Sequence, residues 1–159
     1  MVSLEKEKAF LDLIRANFDF LFSRGFRITS VISQTRDIIW AILEAECLIM
    51  IGSDRDSDIY ITFAKRGTPV ENWDDWYTLD IVIYFLSKKT YYIGGYYGDL
   101  KQKDEQLRRL AKPLQDYLDQ MIVLFTNTSF DEIGFELKRL RPILDRLRYE
   151  EYKAHKSKT

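Results

Sequence analysis

The sequence predicts an α+β domain: an N-terminal helix, an antiparallel sheet of about four strands, then C-terminal helices. Three observations carry this expectation. Apolar residues recur at helical spacing up to position 24, short runs rich in Ile, Val, Thr, Trp and Tyr follow between positions 27 and 65, and helical spacing returns after position 101. The breaks between the β-type runs are too short for parallel crossovers, so the sheet must be an antiparallel meander.

From Leu4 to Arg24, the residues Phe10, Leu13, Ile14, Phe18, Leu21 and Phe22 share one face of a helix that Ser3 can cap and Gly25 can end. Four strands are expected over Arg27–Gln34, Asp37–Ala45, Glu46–Ser53 and Ser57–Lys65. The segment from Leu79 to Leu86 reads two ways. Ile81 to Phe85 has strong β propensity, whereas Thr78 followed by Leu79, Val82, Ile83 and Leu86 fits a capped helix, the preferred reading. Another helix is expected from Lys101 to Phe125, with a kink at Pro113, and a last one opens on the capping box Ser129 to Glu132. In that last helix Ile133, Leu137, Leu140, Leu144 and Leu147 are spaced like a heptad seam. The seam either packs on its own domain, the preferred reading, or joins two copies in a homodimer. One domain over residues 1–152 and a polar tail over 153–159 complete the expected organisation.

Composition limits the classes of function. The 159 residues are 46% hydrophobic and 31% charged, as in a globular chain with a substantial core, and the net charge of −1 provides no global field for nucleic acid or an anionic membrane. The single cysteine, Cys47, rules out an intramolecular disulfide and fits a cytoplasmic location, with burial as a small hydrophobe its expected role. The charged opening, Met1 to Lys8, lacks the apolar stretch of a signal peptide, and no apolar run reaches membrane-spanning length, so neither export nor membrane insertion is expected. The only histidine, His155, falls in the polar tail, which removes Ser-His-Asp, Cys-His and multi-histidine zinc sites. No metal site and no cofactor is expected.

Four groupings carry some chemical signal. Gly52-Ser53 followed by Ser57-Asp58 resembles the nucleotidyltransferase signature, in which a Gly-Ser turn binds phosphates and an Asp-x-Asp pair holds Mg2+. Here only three residues separate the two parts, and Tyr60 stands where the second carboxylate belongs. Asp54, Asp56 and Asp58 have the spacing that begins a Ca2+ loop, but Ile59 and Lys65 occupy the glycine and glutamate positions of an EF-hand. The better reading is a β-hairpin with an acidic tip. Aromatic residues crowd the stretch from Trp73 to Tyr97. Trp76, Ile81 and Phe85 are assigned there to packing, Tyr91, Tyr92, Tyr96 and Tyr97 to an exposed contact patch, and Glu71, Asp74 and Asp75 to an acidic rim. Basic residues predominate from Lys138 to Lys158, without the aromatic interleaving of RNA-recognition surfaces, so nucleic-acid binding is not expected.

The helix ending in Phe20-Leu-x-x-x-Gly25-Phe26, the strands joined through Asp54-Arg55, and Trp76-Tyr77-x-Leu79 resemble a group of small bacterial proteins over about the first ninety residues. Some of those are similar to the immunity proteins of polymorphic toxin systems. The resemblance implies a role in binding a protein partner, with Asp54, Asp56 and Asp58 or Tyr91, Tyr92, Tyr96 and Tyr97 as candidate contacts. The expected function is therefore non-enzymatic protein binding, in the manner of an immunity protein that neutralises a toxin. The alternative is a degenerate nucleotidyltransferase-like or metal-dependent enzyme using residues Gly52 to Asp58.

Overall fold

A computed structural model describes residues 4–34, 38–53, 59–89 and 102–157. The chain opens with helices α1 (Leu4–Asn17) and α2 (Asp19–Ser23), followed by strands β1 (Arg27–Gln34), β2 (Ile38–Glu44), β3 (Cys47–Ser53) and β4 (Ile59–Lys65). A 3-10 turn at Trp73–Asp75 leads to the two-residue strand β5 (Tyr77–Thr78), and helices α3 (Leu79–Ser87), α4 (Gln102–Phe125) and α5 (Phe130–Ser157) complete the order. The architecture is α+β, as expected, with one short strand more. That strand pairs through Thr62 opposite Thr78 and Phe63 opposite Tyr77, a length too small to leave a periodic signal.

All four strand pairings are antiparallel, in the order β1-β2-β3-β4-β5. Because side chains alternate between sheet faces, register assigns each residue a side. Ile39, Ala41 and Leu43 lie across from Ser53, Ile51 and Ile49, and these from Ile59, Ile61 and Phe63. This face meets the helices and joins Phe10, Ile14, Leu21, Leu114, Leu137 and Leu144 in one core. The opposite face carries a second, smaller cluster, in which Ile42, Leu48, Met50 and Ala64 are buried with Trp76, from the segment after β4. All seven residues of β3 are therefore buried.

Several boundaries differ from the sequence expectation for local reasons. The first helix is broken at Phe18, whose φ of −123° and ψ of 33° leave the helical region. Just before the break, the Asn17 side chain donates to Leu13 O and to Asp104 Oδ1, both at 2.9 Å, and such local side-chain bonds compete with a continuing helix. Leu79–Ser87 is helical, as preferred, ending at Lys88 in the left-handed conformation with φ 62°. The Ser129–Glu132 side-chain exchange does not form; Asn127 Oδ1 accepts from the Ser129 N–H at 2.8 Å, and Ser129 O accepts from Glu132 N–H. Helix α5 continues through Lys153 to Ser157, so those residues are helical rather than a loose tail. Its heptad positions Leu137 and Leu144 are buried in the domain's own core, with Ile133, Leu140 and Leu147 packed beside them. Among the described residues no helix is long and apolar enough to cross a membrane.

Candidate functional site

On the face opposite the helical core, register aligns Ile32, Trp40, Gly52 and Tyr60 in one rung across β1 to β4. Gly52 is what allows this rung to be aromatic. A Cβ built there would lie 2.5 and 2.6 Å from Tyr60 ring atoms and 2.7 Å from Trp40 Cδ1, so both rings occupy the space that a side chain would fill. Gly52 and Ser53 thus belong to a strand, not to the phosphate-binding turn of the nucleotidyltransferase reading. Ser53 pairs with Ile59, so residues 54–58 connect two neighbouring antiparallel strands.

The segment between β4 and β5 crosses part of this face and brings a third ring to it. Trp73 meets Trp40 edge-to-face, with centroids 5.1 Å apart and planes at 76°. Trp73 itself remains 50% exposed. Four tethers hold the segment. Thr68 Oγ1 donates to Lys65 O at 2.6 Å, Trp76 Nε1 donates to Pro69 O at 3.0 Å, and Lys138 Nζ contacts Asp75 Oδ1 at 3.0 Å. Arg141 Nη2 donates to Asp74 O at 2.7 Å and Trp76 O at 2.9 Å, while its guanidinium lies 5.0 Å from the Tyr77 ring centroid. The Asp75 hydrogen bond raises the Lys138 pKa above the usual lysine value, and burial pushes that of the Tyr77 phenol up.

Among the described residues, Trp40 Nε1 and Thr62 Oγ1 on this face are shielded and have no hydrogen-bond partner. On the helix side Ser53 Oγ is the same, although the neighbouring Ile59 N–H is satisfied by Gln106 Oε1 at 3.0 Å. Surface clefts lie elsewhere, two of them lined by described residues. One of about 350 Å³, at the β2–β3 hairpin, is lined by charges already paired within the chain, Arg24 with Glu46 and Arg66 with Glu44. The other, about 370 Å³, is apolar and lies between Leu86 and the end of α4 at Val123 and Leu124. Among the described residues no group of three or more His, Cys, Asp or Glu side chains is placed to hold a metal ion.

The contact residues anticipated from sequence, Asp54, Asp56, Asp58, Tyr91, Tyr92, Tyr96 and Tyr97, lie outside the described residues. Trp76 and Ile81 are buried and Phe85 packs on the core, as anticipated. The rung of Trp40, Gly52 and Tyr60, and its capping by Trp73, were missed. A signal for it existed, since a glycine inside an apolar strand marks a close approach by something else. No family model, no curated protein and no solved structure matches this chain.

Proposed function

We propose that this domain acts by binding a protein partner, without catalysis, in the manner of a bacterial immunity protein that neutralises a toxin in the cytoplasm. One observation carries the reading: a half-exposed indole, Trp73, in edge-to-face contact with Trp40 on a sheet face whose cluster, among the described residues, includes no helical residue. Rings fixed by the backbone beneath them lose little freedom on binding, and tryptophan and tyrosine dominate the energetics of protein interfaces. Trp40 is set by the Gly52 gap and Trp73 by the tethers of its segment, so the surface is organised before any partner arrives.

In this reading the acidic residues Asp54, Asp56 and Asp58 belong to the same contact, because their connection leaves β3 one residue beyond Gly52 and enters β4 one residue before Tyr60. Tyr91, Tyr92, Tyr96 and Tyr97 form the second part of the proposed contact. The test is capture of a partner from a lysate of the source cells by the wild-type protein, Trp73→Ala and Phe135→Ala. Phe135, 65% exposed on α5, serves as an exposed aromatic outside the site. The expected result is a partner retained by wild type and Phe135→Ala and lost by Trp73→Ala. For the immunity reading, that partner is also toxic when expressed alone and harmless when expressed with this protein. Capture that ignores Trp73→Ala contradicts the assignment.

A further inference from the structure

We infer that the aromatic face takes an arginine side chain from an extended segment of the partner, stacked on Trp73 and forked onto the carboxylates beside it. The inference rests on the protein-binding reading and adds the chemistry of what is bound. Charge around Trp73 decides the sign of the partner. Asp75 is compensated by Lys138 at 3.0 Å. Asp74 is not compensated in the same way: its side chain is 95% exposed, and Arg141 reaches it only at 3.8 Å while spending its other amino group on two backbone carbonyls. Glu71 is exposed and makes no ion pair among the described residues. A half-exposed indole is therefore flanked in sequence by one exposed carboxylate without an ion pair among the described residues, Glu71, and one that is only loosely paired, Asp74.

A cation over an indole is attracted by the ring's negative face, and arginine, being planar, can stack there while its remaining N–H groups fork onto a carboxylate. A lysine ammonium has no flat face to match the ring, and an acidic or neutral segment would leave Glu71 without a counter-charge and Asp74 with only the long Arg141 contact. The chain already makes this kind of contact internally, where Arg141 lies over the Tyr77 ring and bonds the same segment.

The experiment titrates isotope-labelled protein with the capped peptide Gly-Arg-Gly-Arg-Gly and follows the indole N–H resonances. The expected result is a saturable shift of the Trp73 signal, about tenfold weaker binding when citrulline replaces arginine, and a similar loss in the Glu71→Gln, Asp74→Asn double variant. Read on the indole N–H of Trp40, the ring in contact with it, Trp73→Phe is expected to keep part of the binding, whereas Trp73→Ala abolishes it. Glu71, Trp73 and Asp74 are exposed, and urea unfolding of each variant verifies that it is folded before its binding is compared. Equal binding of the citrulline peptide, or no effect of the double variant, overturns the inference. A second arm separates it from the broader reading. A captured partner that is lost with Trp73→Ala but held by the double variant in about 0.5 M salt refutes arginine docking and leaves protein binding standing. Specific peptide binding with no partner captured supports the arginine site and counts against the proposed function.

Discussion

At Gly52 the absence of one carbon sets the position of two rings. Gly52→Ala would place a methyl group 2.5 to 2.7 Å from atoms of Tyr60 and Trp40. Both rings can swing, but only by leaving the strand they lie against, and the Trp40 contact with Trp73 must change with them. The substitution is expected to cost about 1–3 kcal/mol, the usual range for overpacking, less whatever alanine recovers in strand propensity. Urea unfolding measures the cost, and a change in tryptophan emission in the folded protein shows the rings displaced; unchanged emission would mean the surface does not depend on this gap. Cys47 shows the opposite relation between burial and chemistry. Burial, with a smaller contribution from the Glu46 carboxylate, pushes its thiol from the ordinary 9.0 up to about 12. Below pH 9 the thiol is neutral in both folded and unfolded chains and contributes no pH dependence. Between about 9 and 12 only the unfolded thiol ionises, so stability falls as pH rises, by up to about 1.4 kcal/mol per pH unit from this group. Cys47→Ala removes that contribution, and its stability should decline less steeply than wild type across the same window. Thiol-reactive reagent at neutral pH should label wild type only as it unfolds, because the reactive form is the thiolate.

Among the elements, the segment between β4 and β5 depends most on a single side chain from far along the chain. Arg141 bonds Asp74 O and Trp76 O and lies over Tyr77. Arg141→Ala strips a donor from two carbonyls and is expected to cost about 1–3 kcal/mol, less where water replaces the lost bonds. Arg141→Lys should recover only part of the loss, since both carbonyls accept from the single nitrogen Nη2, as they could from an ammonium, but an ammonium has no plane to lay on the Tyr77 ring. Urea unfolding reads the stability loss, and faster amide exchange from 66 to 76 locates it; full recovery by lysine would show that charge alone matters. This tether marks where sequence reading stops. β1 to β4 were legible because β-branched runs separated by short polar breaks leave few alternatives, and α4 and α5 because leucines recur at steps of three and four. The break at Phe18 was not legible, since Phe18 continues the apolar stripe and the competing bond from Asn17 to Asp104 spans 87 residues. The aromatic rung was half legible. Trp40 and Ile42 share a face by alternation alone, but bringing Tyr60 opposite Gly52 requires the register of the β3–β4 hairpin, and bringing Trp73 to Trp40 requires the path of the segment after β4.

For the molecule as a whole, the decisive feature is that one core draws residues from both ends of the chain. Phe10 and Ile14 of α1, Ile49 and Ile51 of the central strand, and Leu137 and Leu144 of α5 belong to a single buried cluster. Phe125 and Phe130, which flank the α4–α5 connection, contact each other and Tyr77 of β5, and Phe125 stacks on Phe63 of β4. A helix joined to the sheet in this way cannot detach without opening apolar surface on every element it touches. The chain is therefore expected to unfold in urea as one cooperative unit, with far-ultraviolet circular dichroism, dominated by the helices, and tryptophan emission, reporting Trp40, Trp73 and Trp76 on the sheet side, giving coincident transitions. Leu144→Ala tests the coupling directly. It removes a buried side chain from α5, where such truncations cost about 2–5 kcal/mol, and should move both transitions to lower urea together. If the dichroism transition moved while the emission transition stayed, α5 would be a separate unit resting on the sheet. Arg141 and Lys138 would then not tie the fate of the aromatic face to the C-terminal helix.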